Sequence, residues 1–136
     1  MRSLLIRFPP IAIGGALGAL LRYWLELHLG STVGFPMGIF VANIVGAFII
    51  GITLTLLPII TPRSGPTLRL LIATGFCGGL TTLSTLAVSL AQAIVQRGFD
   101  SALWYASATI GAGVAAAFVG RLLSRTWYRM RQSPAN

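Results

Sequence analysis

Gly75-Phe76-Cys77-Gly78-Gly79-Leu80-Thr81-Thr82-Leu83-Ser84-Thr85-Leu86 lies inside an apolar run long enough to cross a bilayer, yet it is built of helix breakers and hydroxyls. Three glycines within five residues each weaken a helix by roughly 1 kcal/mol relative to alanine. In hydrocarbon a chain that leaves the helix needs protein or a water-filled cavity to receive its freed carbonyls and amides. Interruptions of this kind form ion and substrate sites near the midplane of transport proteins. The same residues also read as a close-packing face, Gly75 to Gly79, with Ser and Thr as interhelical hydrogen-bonding groups. The hydroxyls of Thr81, Thr82, Ser84 and Thr85, directly after the glycines, favour an ion-handling break.

The chain of 136 residues is 55% hydrophobic and 9% charged, with a mean hydropathy of +0.84. A soluble domain of this size could not cover so much apolar surface, so the class is an integral membrane protein in a lipid bilayer. All ten basic residues are arginines and the acids are Glu26 and Asp100, giving a net charge of +8. The arginines flank apolar runs instead of forming one basic face, so they read as topology signals and not as a nucleic-acid surface. Cys77 is alone, which excludes an intrachain disulfide and a CxxC metal site. Arg2 and Arg7 before an apolar run imitate a signal peptide. The run passes into Arg22, Tyr23 and Glu26 without a convincing cleavage site, so it is retained as a membrane helix.

Four spans follow, each near the ~20 residues that cross ~30 Å of hydrocarbon: 11–29, opened by Pro9-Pro10 as a helix start, then 36–57, 68–95 and 102–122. The expected organisation is a four-span membrane domain over 1–123 and a basic polar tail over 124–136, at the membrane surface or disordered. An even number of spans puts both termini on one side. Arg2, Arg7, Arg63, Arg69, Arg121, Arg125, Arg129 and Arg131 fall on that side, against Arg97 and at most Arg22 on the other. Positive-inside logic therefore predicts cytoplasmic N- and C-termini.

No catalytic constellation is present: the acids lie on different segments, His28 is the sole histidine, and Cys77 has no evident base. The reading is not an enzyme. Arg22 and Glu26, four apart on one helical face, form either a mutually neutralising pair or a pair whose arginine draws an anion into a vestibule. Asn43, deep in the second span, can donate to an anion or bridge helices. Tyr105 and Thr109 form an i, i+4 hydroxyl stripe with Gly113 one turn further.

Gly14-Gly15-Ala16-Leu17-Gly18-Ala19 leading to Arg22-Tyr23, Gly38 with Val41-Ala42-Asn43 and Gly46, and the opening stretch together resemble the Fluc/CrcB family of fluoride channels over all four spans. The resemblance implies an all-α fold: a four-helix membrane bundle with a broken third transmembrane helix, paired as an antiparallel, dual-topology-type dimer with two fluoride pathways at the interface. It also implies a structural, non-transported sodium ion on the two-fold axis, held by the main-chain carbonyls of Gly78 and Thr81. Asn43, Ser84, Thr85, Tyr105 and Thr109 match the fluoride pathway, and Arg22 matches the vestibule arginine. Fluoride is small and strongly hydrated, so amides and hydroxyls must replace its lost water, and a narrow pore excludes larger halides.

At two positions the chain departs from that pattern. The family carries TTFSTF where this chain reads TTLSTL, so Leu83 and Leu86 stand in place of rings that offer an anion their electropositive edges. Homodimeric members insert both ways, whereas the arginine bias here specifies one orientation. The partner is then either a second copy or an oppositely oriented paralogous subunit that retains the rings. Two other readings stand beside the channel subunit: a non-conducting partner subunit, and a small four-helix exporter of cations or drugs. The exporter needs an acid deep in the first span, and Glu26 lies near the end of that span with Arg22 beside it.

Overall fold

The computed structural model describes residues 2–32, 35–61 and 64–132. Arg63, counted among the terminal-side arginines, and the end of the basic tail lie outside them. Apart from a hairpin of two short strands, β1 (Ser31–Thr32) and β2 (Phe35–Pro36), paired antiparallel with Thr32 opposite Phe35, every described element is helical. The helices are α1 (Arg2–Leu29), α2 (Met37–Ile60), α3 (Gly65–Arg69), a π-helical turn (Leu70–Phe76), α4 (Cys77–Leu80), α5 (Leu83–Arg97) and α6 (Phe99–Gln132).

Among the described residues, three helical runs are long and apolar enough to cross a membrane: Met37–Ile60, Gly65–Arg97 and Phe99–Gln132. At most 22% of each run's apolar window is buried inside the chain. Leu83, Val114 and Phe118 are among many large apolar side chains left exposed. In water such a surface would drive aggregation, but in lipid it needs no cover. The first helix is 28 residues long and carries Pro9, Pro10, Arg22 and Glu26.

Two boundaries differ from the sequence expectation. The prolines do not open α1; the helix starts at Arg2 and passes through them, a proline φ near −65° being helical although each ring removes an amide donor and crowds the carbonyl four residues back. At the other end, α6 does not stop near residue 122 but continues through the basic segment to Gln132. Arg121, Arg125 and Arg129 recur at helical spacing there, and Arg131 stacks its guanidinium 4.5 Å from the Trp127 ring.

The bundle consists of two parallel helix pairs. One pair is α1 with the segment from α3 to α4, where both backbones carry glycine every fourth residue. A Cβ at Gly14 would strike Leu71, at Gly18 Phe76, and at Gly75 it would lie 2.7 Å from the Ile11 carbonyl oxygen. A Cβ at Gly79 would strike the Gly15 carbonyl. The close-packing reading thus holds for Gly75 and Gly79, which are helical. The other pair is α2 with α6, which also pack along an extensive contact. The start of α2 returns beside the end of α1, with Gly38 against Glu26, so the helices run up, down, up and down and both ends of the chain share one end of the bundle.

Candidate functional site

Helical geometry ends at Leu80 and resumes at Leu83. Between them Thr81 (φ −80°, ψ 149°) and Thr82 (φ −148°, ψ 124°) are extended. Thr81 is the central residue of the 33-residue run Gly65–Arg97, so this non-helical pair sits midway along it. It follows the glycines, which themselves stay in the helix.

Buried backbone polar groups must find partners, and here side chains from two elements supply them. Asn43 on α2 faces the Thr82 peptide with both halves of its amide. Its Oδ1 accepts from the Thr82 N–H at 2.9 Å, and its Nδ2 donates to the Thr82 carbonyl at 3.4 Å. The Thr82 hydroxyl accepts from the Thr85 N–H at 3.1 Å, capping α5, and donates to Thr85 Oγ1 at 3.0 Å. Ser84 Oγ lies 3.2 Å from the same hydroxyl. Thr81 turns its own hydroxyl back to the Cys77 carbonyl at 2.9 Å. These bonds divert two amides from the helical ladder. Thr82 N–H would otherwise serve the Gly78 carbonyl, and Thr85 N–H the Thr81 carbonyl.

Arg22 lies beside this point. Its Nε donates to the Gly79 carbonyl at 3.2 Å, and its Nη1 is 3.5 Å from Glu26 Oε1, both side chains being part-exposed. The neutralising pair is therefore present, and the same guanidinium also covers a carbonyl at the end of α4. A charge at the negative end of a helix is favourable. His28 and Trp24 pair at the end of α1, the two rings stacked with centroids 4.3 Å apart and His28 Nδ1 2.9 Å from the Trp24 carbonyl oxygen.

A groove of about 300 Å³ runs past the extended pair, lined by Asn43, Thr82, Leu83, Leu86, Thr109 and Gly113 among others. It brings together residues from α2, α5 and α6. The two leucines differ sharply: Leu83 is 79% exposed, whereas Leu86 is 5% exposed and packs with Ile39, Tyr105, Phe40 and Leu90. Thr109 is buried and donates to the Tyr105 carbonyl at 2.8 Å. Tyr105 is not among the groove's lining residues; it donates its hydroxyl to the Pro36 carbonyl at 2.9 Å and stacks on Phe35, centroids 5.3 Å apart. Ser84 and Thr85 stand on the first turn of α5, beside Thr82. Thr82 is legible in the sequence only as one of the four hydroxyls after the glycines, without a role of its own. A threonine with a second threonine three positions on, directly after a helical run, is an N-cap pattern that could have marked it.

The family described as CrcB-like protein, Camphor Resistance (CrcB), matches residues 10–121. A Staphylococcus aureus protein (strain bovine RF122 / ET3-1) named "Fluoride-specific ion channel FluC 1" is 46% identical over 110 residues, covering 81% of this chain and 89% of the relative. "Fluoride-specific ion channel FluC" of Methanopyrus kandleri is 42% identical over 110 residues, covering 81% and 82%. A third relative, from Yersinia pseudotuberculosis serotype I and also named "Fluoride-specific ion channel FluC 1", is 41% identical over 115 residues, covering 84% and 87%.

Proposed function

The chain belongs to the CrcB-like family, and on that footing we propose that it is a subunit of a fluoride-specific ion channel that lets fluoride leave the cytoplasm passively. The carrying observation is the groove that joins Asn43, Thr82 and Thr109 beside the first turn of α5. Read as a broken third transmembrane helix, the extended pair has two unlike ends. The α4 side presents carbonyls and suits a cation, while the α5 side presents amides and hydroxyls and suits an anion. Asn43 keeps one N–H beyond the bond to Thr82, and Ser84 is exposed. Thr109 and Tyr105 serve the anion by turning their hydroxyls away from the carbonyls they now meet. Arg22, held beside the Gly79 carbonyl, adds the positive potential that draws an anion toward the groove.

A structural sodium ion fits the residues present. The Gly78 and Thr81 carbonyls are the two whose helical amides are taken by Asn43 Oδ1 and Thr82 Oγ1. A Cβ at Gly78 would meet nothing within 4 Å, leaving that side open. Sodium, when bound, would supply positive charge to these carbonyl ends. Two subunits in antiparallel contact would offer four hard oxygen ligands.

The subunit arrangement follows from charge. Arg7, Arg69, Arg121, Arg125, Arg129 and Arg131 lie toward the end of the bundle that holds both termini, so that end faces the cytoplasm. A chain fixed in one orientation meets an antiparallel partner only in a paralogous subunit of opposite orientation. That partner supplies the aromatic edges that Leu83 and Leu86 lack. The leucines also favour a second reading, a non-conducting partner subunit whose pathway is closed by apolar side chains.

Fluoride efflux from liposomes, followed with a fluoride electrode against a chloride control, tests the proposal. Efflux from this chain with its paralogue, and not from either alone, is the expected result. Efflux from this chain alone would remove the heterodimer. Absence of efflux in both preparations, with the proteins folded and inserted, would leave the non-conducting reading.

A further inference from the structure

Away from the proposed pathway, the largest cleft described is a trough of about 760 Å³ between α2 and α6, toward the end of the bundle that holds the chain termini. We propose that this trough is a binding site for an anionic phospholipid of the cytoplasmic leaflet, with its acyl chains along the helices and its phosphate on Arg121 and Arg125. The two helices touch along its floor, where Gly51 meets the Ala117 backbone and Gly120 meets the backbone of Phe48. Above that floor the walls are apolar: Leu54 on α2, with Val114 and Phe118 on α6, all well exposed. Val114, Phe118, Arg121 and Arg125 follow at i, i+4, i+7 and i+11, so one face of α6 passes from apolar to basic as it leaves the hydrocarbon.

Charge complementarity selects the occupant. The lining of the trough carries two guanidiniums and no carboxylate. The acids of the chain, Glu26 and Asp100, stand at the end of α1 and the start of α6, at the opposite end of the bundle. No acidic side chain of the trough therefore competes for Arg121 or Arg125, and neither arginine has an ion pair among the described residues. Guanidinium binds a phosphate diester through paired N–H groups. Basic pockets between membrane helices on the cytoplasmic side suit such headgroups, and an exposed apolar groove directly below them suits the chains.

The test is native mass spectrometry of the detergent-solubilised full chain, titrated with phosphatidylglycerol and, separately, with phosphatidylcholine of the same acyl composition. Wild type is expected to retain one tightly held phosphatidylglycerol per chain and no comparable phosphatidylcholine. Each arginine near an anionic headgroup contributes about 1 kcal/mol, so R121Q/R125Q should weaken that preference roughly thirtyfold. R129Q/R131Q, beyond the trough, should leave it unchanged. A diazirine-bearing phosphatidylglycerol should label the peptides that contain Leu54 and Phe118. Equal retention of the two lipids, or equal loss in both double variants, would overturn the site. Displacement of the lipid by excess inorganic phosphate would reduce it to a phosphate contact without chain recognition. Circular dichroism of each variant separates misfolding from lost binding, and none of these readouts depends on fluoride transport.

Discussion

Asn43 is the residue on which the geometry at Thr82 depends. Its amide matches a peptide group in donor and acceptor, so one side chain satisfies both polar groups of Thr82. Asn43→Leu fills similar space but leaves a part-buried N–H and carbonyl without partners, at about 1–3 kcal/mol. A lower melting temperature in detergent and loss of flux are expected; an unchanged melting temperature would mean that water replaces the amide without loss. Leu83 and Leu86 separate under the same logic. Leu83→Phe adds a ring on an exposed position and should leave thermal stability within ~0.5 kcal/mol. It should raise fluoride efflux in any preparation where the leucine is limiting. Leu86→Phe forces a ring into the cluster around Ile39 and Tyr105 and should destabilise by about 1–3 kcal/mol. Matched melting curves for the two variants would contradict the burial difference on which this distinction rests.

At the scale of elements, the glycine faces decide how α1 meets the third run. A Cβ at Gly18 would strike the Phe76 carbonyl, a backbone atom that cannot swing aside. Gly18→Ala should therefore separate the two helices and lower stability, although alanine is the better helix former by about 1 kcal/mol. At Gly111, on α6, a Cβ would meet nothing within 4 Å, so Gly111→Ala should be neutral or stabilising. A Gly18→Ala variant as stable as Gly111→Ala would show that α1 is not held by backbone contact. Gly78→Ala is the informative case, because its Cβ also meets nothing inside the subunit. If it folds as wild type but loses activity or dimerisation, the cause lies at the surface that the sodium proposal assigns to the subunit contact. The first helix is held by the same device, its glycines locking it along an apolar run.

For the whole molecule, the arginine distribution should fix a single orientation, with both termini cytoplasmic. Accessibility tags at each end, read in intact cells, are expected to report one location for both. Comparable fractions on the two sides would instead permit an antiparallel pair of identical chains. Basic residues act on topology because short loops carrying them resist translocation, an effect read from position and charge alone.

The sequence by itself determined the membrane class, the helical fold, the family and the clustering of chemistry around residues 75–86. Each rests on composition, on local motifs or on spacing along one chain. It also allowed both readings of the glycines, packing face and break, without separating their positions. Only the tertiary structure decided that Gly75 and Gly79 pack against α1 while Thr81 and Thr82 are extended. The same holds for Asn43, which is 39 residues from its partner Thr82, and for Arg22, which is 57 from Gly79. It holds again for Leu86, buried where Leu83 is open. The physical reason is common to all of them. A helix is specified by neighbours three and four residues away, whereas the partner that completes a freed carbonyl or amide comes from another helix, and its position is set by packing.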